Sequence, residues 1–458
     1  MQPKALIDNG QVRPKAPFLP SLNGGRAIAA LLVFGGHFLA MQFATTVGAA
    51  DIYEAEAGRG ASDEFLFIFF GLFIPVPINY FFVVSGFVLA WTWHPGRRAT
   101  DFWRRRIGKV YPVYVVTSLL AFIGFGLVAG FWHSWKVLLT HTFLLQAWTP
   151  DQGYLLALNP VMWTLSSEIF LYLLFPALIL VMVQMPKRGL QLLAAGCVTA
   201  AFLLPWLATM TFDMRQPAPP VIAPLEGYDN AFSYWFTLMF PPLRLFQFAL
   251  GMAVALLMKK GMRPPPLSVS LIIFAGGLAL THLFLPVEVA GGAGMLVPIA
   301  LVIASVVRAD MEGRRTGLRS RPMLFLGRIS FSFYAIHILL ILFTIVQVPV
   351  ASGAWDRPRL WLWQAGMIDS PTQALPGWAN FTLFFLYLGV VTLMAWLLHT
   401  LVEEPMNKVI RGRRKPQPAT VVPVSPGPAG SVVANGNGNG NGSGRPAETE
   451  TEIIGRSG

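Results

Sequence analysis

The chain reads as an all-α protein, a polytopic transmembrane helical bundle of about ten spans with both termini cytoplasmic. Three observations carry that reading. Of 458 residues, 54% are hydrophobic and only 12% charged, against about 25% charged in a soluble domain, and mean hydropathy is +0.57. The apolar residues fall into runs close to the ~20 residues that cross ~30 Å of hydrocarbon as helix. Basic residues alternate between connections, 24 on one side against 5 on the other, which by the positive-inside rule puts both termini and the richer side in the cytoplasm. The loss of one span would scramble that alternation.

Taken in order, residues 1–20 are polar and Pro-rich and lack the apolar core and small-residue cleavage site of a signal peptide. They are expected to be retained as a cytoplasmic segment. Spans are expected at roughly 22–46, 72–93, 110–130, 161–183, 190–209, 233–257, 267–285, 294–307, 323–347 and 379–401. The stretch 64–93 is broken by Pro75 and Pro77, which predicts a short interfacial helix before the second span. Residues 137–148 are apolar but too short to cross, and are expected to be re-entrant or interfacial. The membrane domain is thus expected over 21–410. Beyond it, 411–458 turns to Pro, Gly, Ser and Asn, including ANGNGNGNGSG, a composition that cannot bury a core and predicts a disordered cytoplasmic tail. No repeat is visible, and no loop is long enough for a soluble domain. The lone Cys197 excludes an intramolecular disulfide. The +12 net charge follows from topology and argues for no nucleic-acid partner. The expected contacts are membrane lipids, and oligomeric state stays open.

The informative residues are the polar ones inside apolar runs, because an ionisable group there costs about 2.5–3.5 kcal/mol or more and tends to face an interior cavity. Arg26 and His37 lie eleven residues apart in the first run. At ~100° and ~1.5 Å per residue that is about three turns and about 16 Å along one face. The second run holds Ser85 and Gly86, the glycine suited to close helix approach. Arg104, Arg105, Arg106 and Lys109 open the third, a cluster fit for phosphate or for an ordinary basic flank. Glu168 sits five residues beyond Trp163 in the fourth, and must be paired, protonated or wet. A structural ion pair with Arg26, Arg244 or a histidine is one way to satisfy it. Arg244 lies deep in the sixth, and Ser330, Tyr334 and His337 form a polar stripe in the ninth. A hydrogen-bonded structural role is an alternative for His337. His94, His133, His141, His282 and His399 read as interfacial or uninformative. No phosphate-binding loop, nucleophile elbow or metal-ligand spacing occurs, so no metal is expected.

These pieces in their order resemble the acyltransferase 3 family of integral membrane acyltransferases, which commonly O-acylate cell-surface glycans and related acceptors. The match runs over nearly all of 20–410: Arg26-x10-His37, FFVVSGF at 81–87, RRRIGKVYP at 104–112, WTLSSEIFLY at 163–172, the Arg244 segment, GRISFSFYAIH at 327–337 and the closing Glu404-Pro405. The family usually has Arg-x-x-Arg before the Tyr-Pro, and here the second position is Lys109, which keeps charge but loses the bidentate fork. The resemblance implies a bacterial cytoplasmic-membrane enzyme with no permanently bound cofactor. Its donor would be cytoplasmic acyl-CoA, acetyl-CoA first, and its acceptor a hydroxyl of a glycan or lipid-linked saccharide. In that reading Arg26, Arg105, Arg106 and Lys109 hold the donor's phosphates, with Ser85 counted in the donor site. His37 is the general base or an acyl carrier. Glu168 orients His37 or binds the acceptor, Trp163 stacks on a sugar, and Arg244, Tyr334 and His337 line the path. Two alternatives remain at this point. One is a secondary transporter of an anionic solute using the same intramembrane Arg, His and Glu. The other is a non-catalytic component of an export assembly.

Overall fold

In hydrocarbon a backbone must satisfy its own N–H and C=O groups, so the apolar runs become helices. The computed structural model describes residues 6–8, 11–13, 19–46, 61–73, 75–96, 98–128, 130–211, 232, 235–284, 293–344, 357–369 and 377–411. All belong to one unit, 1–413. The expected tail beyond Arg411 lies outside them. Within the N-terminal segment, Leu6–Asp8 (β1) and Gln11–Arg13 (β2) pair as a short antiparallel hairpin with Leu6 opposite Arg13.

The helices are α1 (Pro20–Thr46), α2 (Ala61–Leu72), α3 (Pro75–Thr92), α4 (Ala99–Val128), α5 (Trp135–Thr142), α6 (Gln152–Leu155), α7 (Trp163–Gln184) and α8 (Lys187–Thr211). After a π-turn at Trp235–Met239 come α9 (Pro241–Lys259), α10 (Leu267–Phe284), α11 (Leu296–Met311), α12 (Arg321–Thr344), α13 (Arg357–Gln364) and α14 (Gly377–Leu398). A second π-turn, His399–Glu403, leads into α15 (Glu404–Arg411). The break before Pro75 makes α2 a separate short helix, as expected. The 137–148 segment is α5 and a 3-10 turn at Gln146–Trp148.

Among the described residues, nine helices are long and apolar enough to cross a membrane. The tenth expected span is α11, with 16 residues, about 24 Å at ~1.5 Å per residue. Its last turn is fixed at the same end as its neighbours. Arg308 near its end donates to the Pro264 carbonyl just before α10 at 2.6 Å. Asp310 accepts the Ser21 backbone N–H at 2.9 Å and its hydroxyl at 2.6 Å, at the start of α1. The other contacts sort the same way. Lys259 donates to Ala90 at the end of α3 and Lys260 to Val183 at the end of α7. Gly108 near the start of α4 abuts Ile410, and Gly327 of α12 abuts Asn23. The basic connections therefore collect at one end of the bundle, and the first and last described helices of the membrane domain both reach it.

Two apolar cores lie side by side. One is built on α3, α7, α8, α9 and α11, the other on α1, α4, α12 and α14. Leu32 and Ile169 pack against both, so the Arg26–His37 stretch of α1 and the Glu168 turn of α7 mark the seam. α3 meets α9 through reciprocal glycines: a Cβ on Gly86 would lie 2.0 Å from the Phe248 carbonyl oxygen, and one on Gly251 2.0 Å from that of Val83. Gly86→Ala is expected to destabilise by about 1–3 kcal/mol or more, since the obstacle is backbone. Thermal unfolding of the detergent-solubilised protein reads this, and an unchanged midpoint would mean the helices separate at no cost.

Candidate active site

α1 is positioned first by its glycines. A Cβ at Gly24 would meet the Leu318 carbonyl and one at Gly25 the Tyr80 hydroxyl, both near 2 Å. This close seating sets Arg26 against Tyr80 and Lys109, on both of which its charge acts. Eleven residues on, His37 meets α12. His337 Nε2 lies 3.2 Å from His37 Nδ1, with ring centroids 5.2 Å apart. His337 is fully buried, and its Nδ1 is 2.8 Å from the Tyr334 carbonyl. Tyr334 is held in turn, donating to the Val161 carbonyl at 2.8 Å and accepting from Thr164 at 3.0 Å.

Toward the basic end, α4 is tied to α7 by a consequence of proline. Pro176 has no N–H to offer the Tyr172 carbonyl, and the Trp103 indole N–H takes its place at 3.0 Å. That contact brings Arg106 over the Phe102 and Tyr172 rings at 5.7 and 5.8 Å, and sets Lys109 in electrostatic range of Arg26, Glu403, Arg106 and Glu168. Both carboxylates are occupied by other partners. Glu168 Oε1 accepts from Ser85 at 3.1 Å and, more closely, from Tyr172. Glu403, 3% exposed, accepts from Ser332 at 2.8 Å and sits 2.9 Å from His399 Nδ1. Arg26, Arg106 and Lys109 make no ion pair with any described residue, and Arg26 Nε is buried without a hydrogen-bond partner among them. Among the described residues, three part-buried cations thus stand with no ion-pair partner, a set suited to phosphate oxygens.

The opposite end of the His37 region is closed by the α5–α7 segment. Gln146 donates to the Met162 carbonyl at 3.1 Å, Asn159 to Ala335 at 2.8 Å, and Ser166 closely to Leu144. His141 Nε2 donates to Tyr154 at 2.8 Å, and burial lowers its pKa to about 4, so this cap carries a neutral imidazole at physiological pH.

The residues singled out from sequence are therefore distributed as follows. Arg26, Ser85, Arg106, Lys109 and Glu168 come together near the basic end, His37 pairs with His337, and Tyr334 stands between those two groups. Arg105 is exposed beside the cluster. Glu168 bonds Ser85 and Tyr172 and has no hydrogen bond to His37. Trp163 is 4% exposed in an apolar core. Arg244 is buried one turn into α9 at the other end, with Nη2 donating to the Thr237 carbonyl at 2.6 Å. Sequence reasoning missed Tyr80, Tyr172, Glu403 and Ser332 and dismissed His399. Two carried a local signal: Tyr172 is four residues after Glu168, and Glu403 four after His399, each on one helical face.

Comparison with known proteins agrees with this architecture. A profile of the acyltransferase 3 family, described as an acyltransferase domain, matches residues 19–400. The chain is 31% identical over 423 residues to Acyltransferase MdmB of Streptomyces mycarofaciens, covering 91% of this chain and 97% of that protein. No solved structure matches. The chain belongs to the acyltransferase 3 family and is a membrane acyltransferase.

Proposed function

We propose that the protein moves an acyl group, acetyl in the first instance, from cytoplasmic acyl-CoA to a hydroxyl of a glycan or lipid-linked saccharide, in the cytoplasmic membrane of a bacterium. One observation carries this reading: among the described residues Arg26, Arg106 and Lys109 have no ion-pair partner, while both nearby carboxylates accept from other groups. A donor rich in phosphate, entering from the basic end, supplies what the cluster lacks. The excess of basic residues at that end favours its facing the cytoplasm, and the Streptomyces relative fits a bacterial setting.

The chemistry follows from the spacing on α1. With the phosphates at Arg26, the donor's pantetheine arm runs along the helix toward His37, about 16 Å further on. His37 takes the proton from the acceptor hydroxyl as its oxygen bonds to the thioester carbonyl carbon. The tetrahedral intermediate collapses, the carbon–sulfur bond breaks, and the thiolate leaves with the electron pair and receives the proton from His37. Glu168, fixed by Ser85 and Tyr172 in the basic-end group, is the acceptor there for donor or saccharide hydroxyls. Arg244 and Trp163, toward the other end, lie on the side from which the acceptor would enter.

The test is to incubate purified protein in lipid nanodiscs with acetyl-CoA labelled in the acetyl group and with candidate saccharide acceptors. Label is expected in a covalent ester on the acceptor. Uptake of an anion into vesicles with no such product would overturn the reading in favour of transport.

A further inference from the structure

We infer that His337 is a positioning residue that fixes the tautomer of His37, so that the nitrogen presented to the acceptor is His37 Nε2. This rests on the reading of His37 as the base. The argument is one of donors and acceptors. A carbonyl oxygen only accepts, so the 2.8 Å contact of His337 Nδ1 with the Tyr334 carbonyl requires the proton on Nδ1. In a neutral imidazole the other nitrogen is then a bare lone pair. That nitrogen, His337 Nε2, faces His37 Nδ1 at 3.2 Å, and the contact is a hydrogen bond only if His37 Nδ1 carries its proton. His37 Nε2 is left as the free lone pair. One backbone carbonyl thus sets the proton positions of two rings.

The surroundings hold this order in place. Tyr334, whose carbonyl starts the relay, is anchored through its hydroxyl to Val161 and Thr164. The His337 ring packs beside Phe333 and Tyr334 at 6.4 and 5.7 Å between centroids. The ring of His37 has a second acceptor in range, the Val33 carbonyl one turn back on its own helix. A carboxylate could orient His37 too, as it does for histidine in hydrolase triads, but it would place a charge in a fully buried apolar position at high cost. A second histidine does the same work while neutral. When His37 gains a proton at Nε2, its Nδ1–H bond to His337 becomes charge-assisted and strengthens, which stabilises the imidazolium at the moment it forms.

The experiment combines three measurements on the full-length protein in nanodiscs. The first is 15N NMR of histidine-labelled wild type against His37→Gln, which identifies the His37 ring. Protonation at Nδ1 is expected, the minor tautomer of a free imidazole, and protonation at Nε2 overturns the proposal. The second is transfer by His337→Ala, where kcat is expected to fall roughly 10²- to 10⁴-fold, the range for a misdirected base, with the donor's KM within about threefold. The third is His337→Gln, whose amide oxygen can accept the His37 Nδ1–H and is expected to recover at least roughly tenfold of that loss. Equal activity of the Ala and Gln variants overturns the proposal, as does an Ala variant indistinguishable from wild type. If neither variant folds, the wild-type tautomer alone decides. Should His37→Ala retain transfer while Nδ1 protonation is found, the assignment of His37 as base fails and the pairing stands.

Discussion

His37→Ala loses acyl transfer by at least roughly 10²- to 10⁴-fold, the contribution of a positioned general base, while the protein still inserts and elutes as wild type. The stability effect is the smaller one, because His37 is only part-buried and among the described residues its one hydrogen bond to another side chain is to His337. Label transfer from acetyl-CoA, measured against total protein in the membrane fraction, reads the first quantity, and the unfolding midpoint reads the second. Transfer within about fivefold of wild type would remove His37 from the chemistry. The cations at Arg26, Arg106 and Lys109 would then describe a binding site whose catalyst lies elsewhere. His37→Gln sharpens the outcome: it keeps a polar group of similar size but no titratable nitrogen, so it should be as inactive as alanine.

Much of this site is legible in the sequence. The Arg26–His37 register follows from helical geometry, and so does the expectation that costly polar groups face inward. Gly86 was readable as a packing residue, and its Cβ position against the Phe248 carbonyl is the reason it must be glycine. Nine of the ten expected spans are helices long and apolar enough to cross a membrane among the described residues, as hydropathy implied. The exception is α11, which with 16 residues falls short of a full crossing by length, and whose last turn is fixed by contacts with Pro264 and Ser21. What sequence could not supply was pairing between distant helices. His37 and His337 are 300 residues apart, and His337 alone reads readily as a structural group. Ser332 and Glu403 meet across 71 residues. No periodicity on one helix encodes which face of another it will meet, so the carboxylates' partners on other helices, Ser85 and Ser332, left no trace in the sequence, whereas Tyr172 and His399 lie one turn away on the same helix. That occupation changes the reading of the basic cluster. With Glu168 and Glu403 as its ion-pair partners, the cluster would be an internal charge balance; with those carboxylates engaged elsewhere, it is open to a ligand.

The second large effect tests that openness. Arg106→Ala or Lys109→Ala is expected to raise the KM for acetyl-CoA roughly 10- to 100-fold each, because a hydrogen bond to a charged group contributes about 1.5–3 kcal/mol and each 1.4 kcal/mol is about tenfold. The kcat should change little, since neither side chain reaches the His37 pair. Arg106 and Lys109 lie three residues apart on one face of α4 and share electrostatic range with Arg26, so the double variant should cost less than the product of the two single effects. Lys109→Arg discriminates further. Guanidinium restores the fork that matches phosphate in two bonds, and it should hold KM at or below the wild-type value, provided the part-buried site admits the larger group. Two controls separate phosphate binding from general electrostatics. Dephospho-CoA derivatives should lose the sensitivity to whichever cation held the missing phosphate. Raising ionic strength should weaken the part-buried Arg106 and Lys109 contacts less than that of exposed Arg105, and Arg105→Ala should accordingly have a small effect that vanishes in high salt. An unchanged KM in both Arg106→Ala and Lys109→Ala would place the donor's phosphates outside this cluster. It would leave three part-buried cations whose cost no ligand repays, an arrangement that membrane proteins seldom keep.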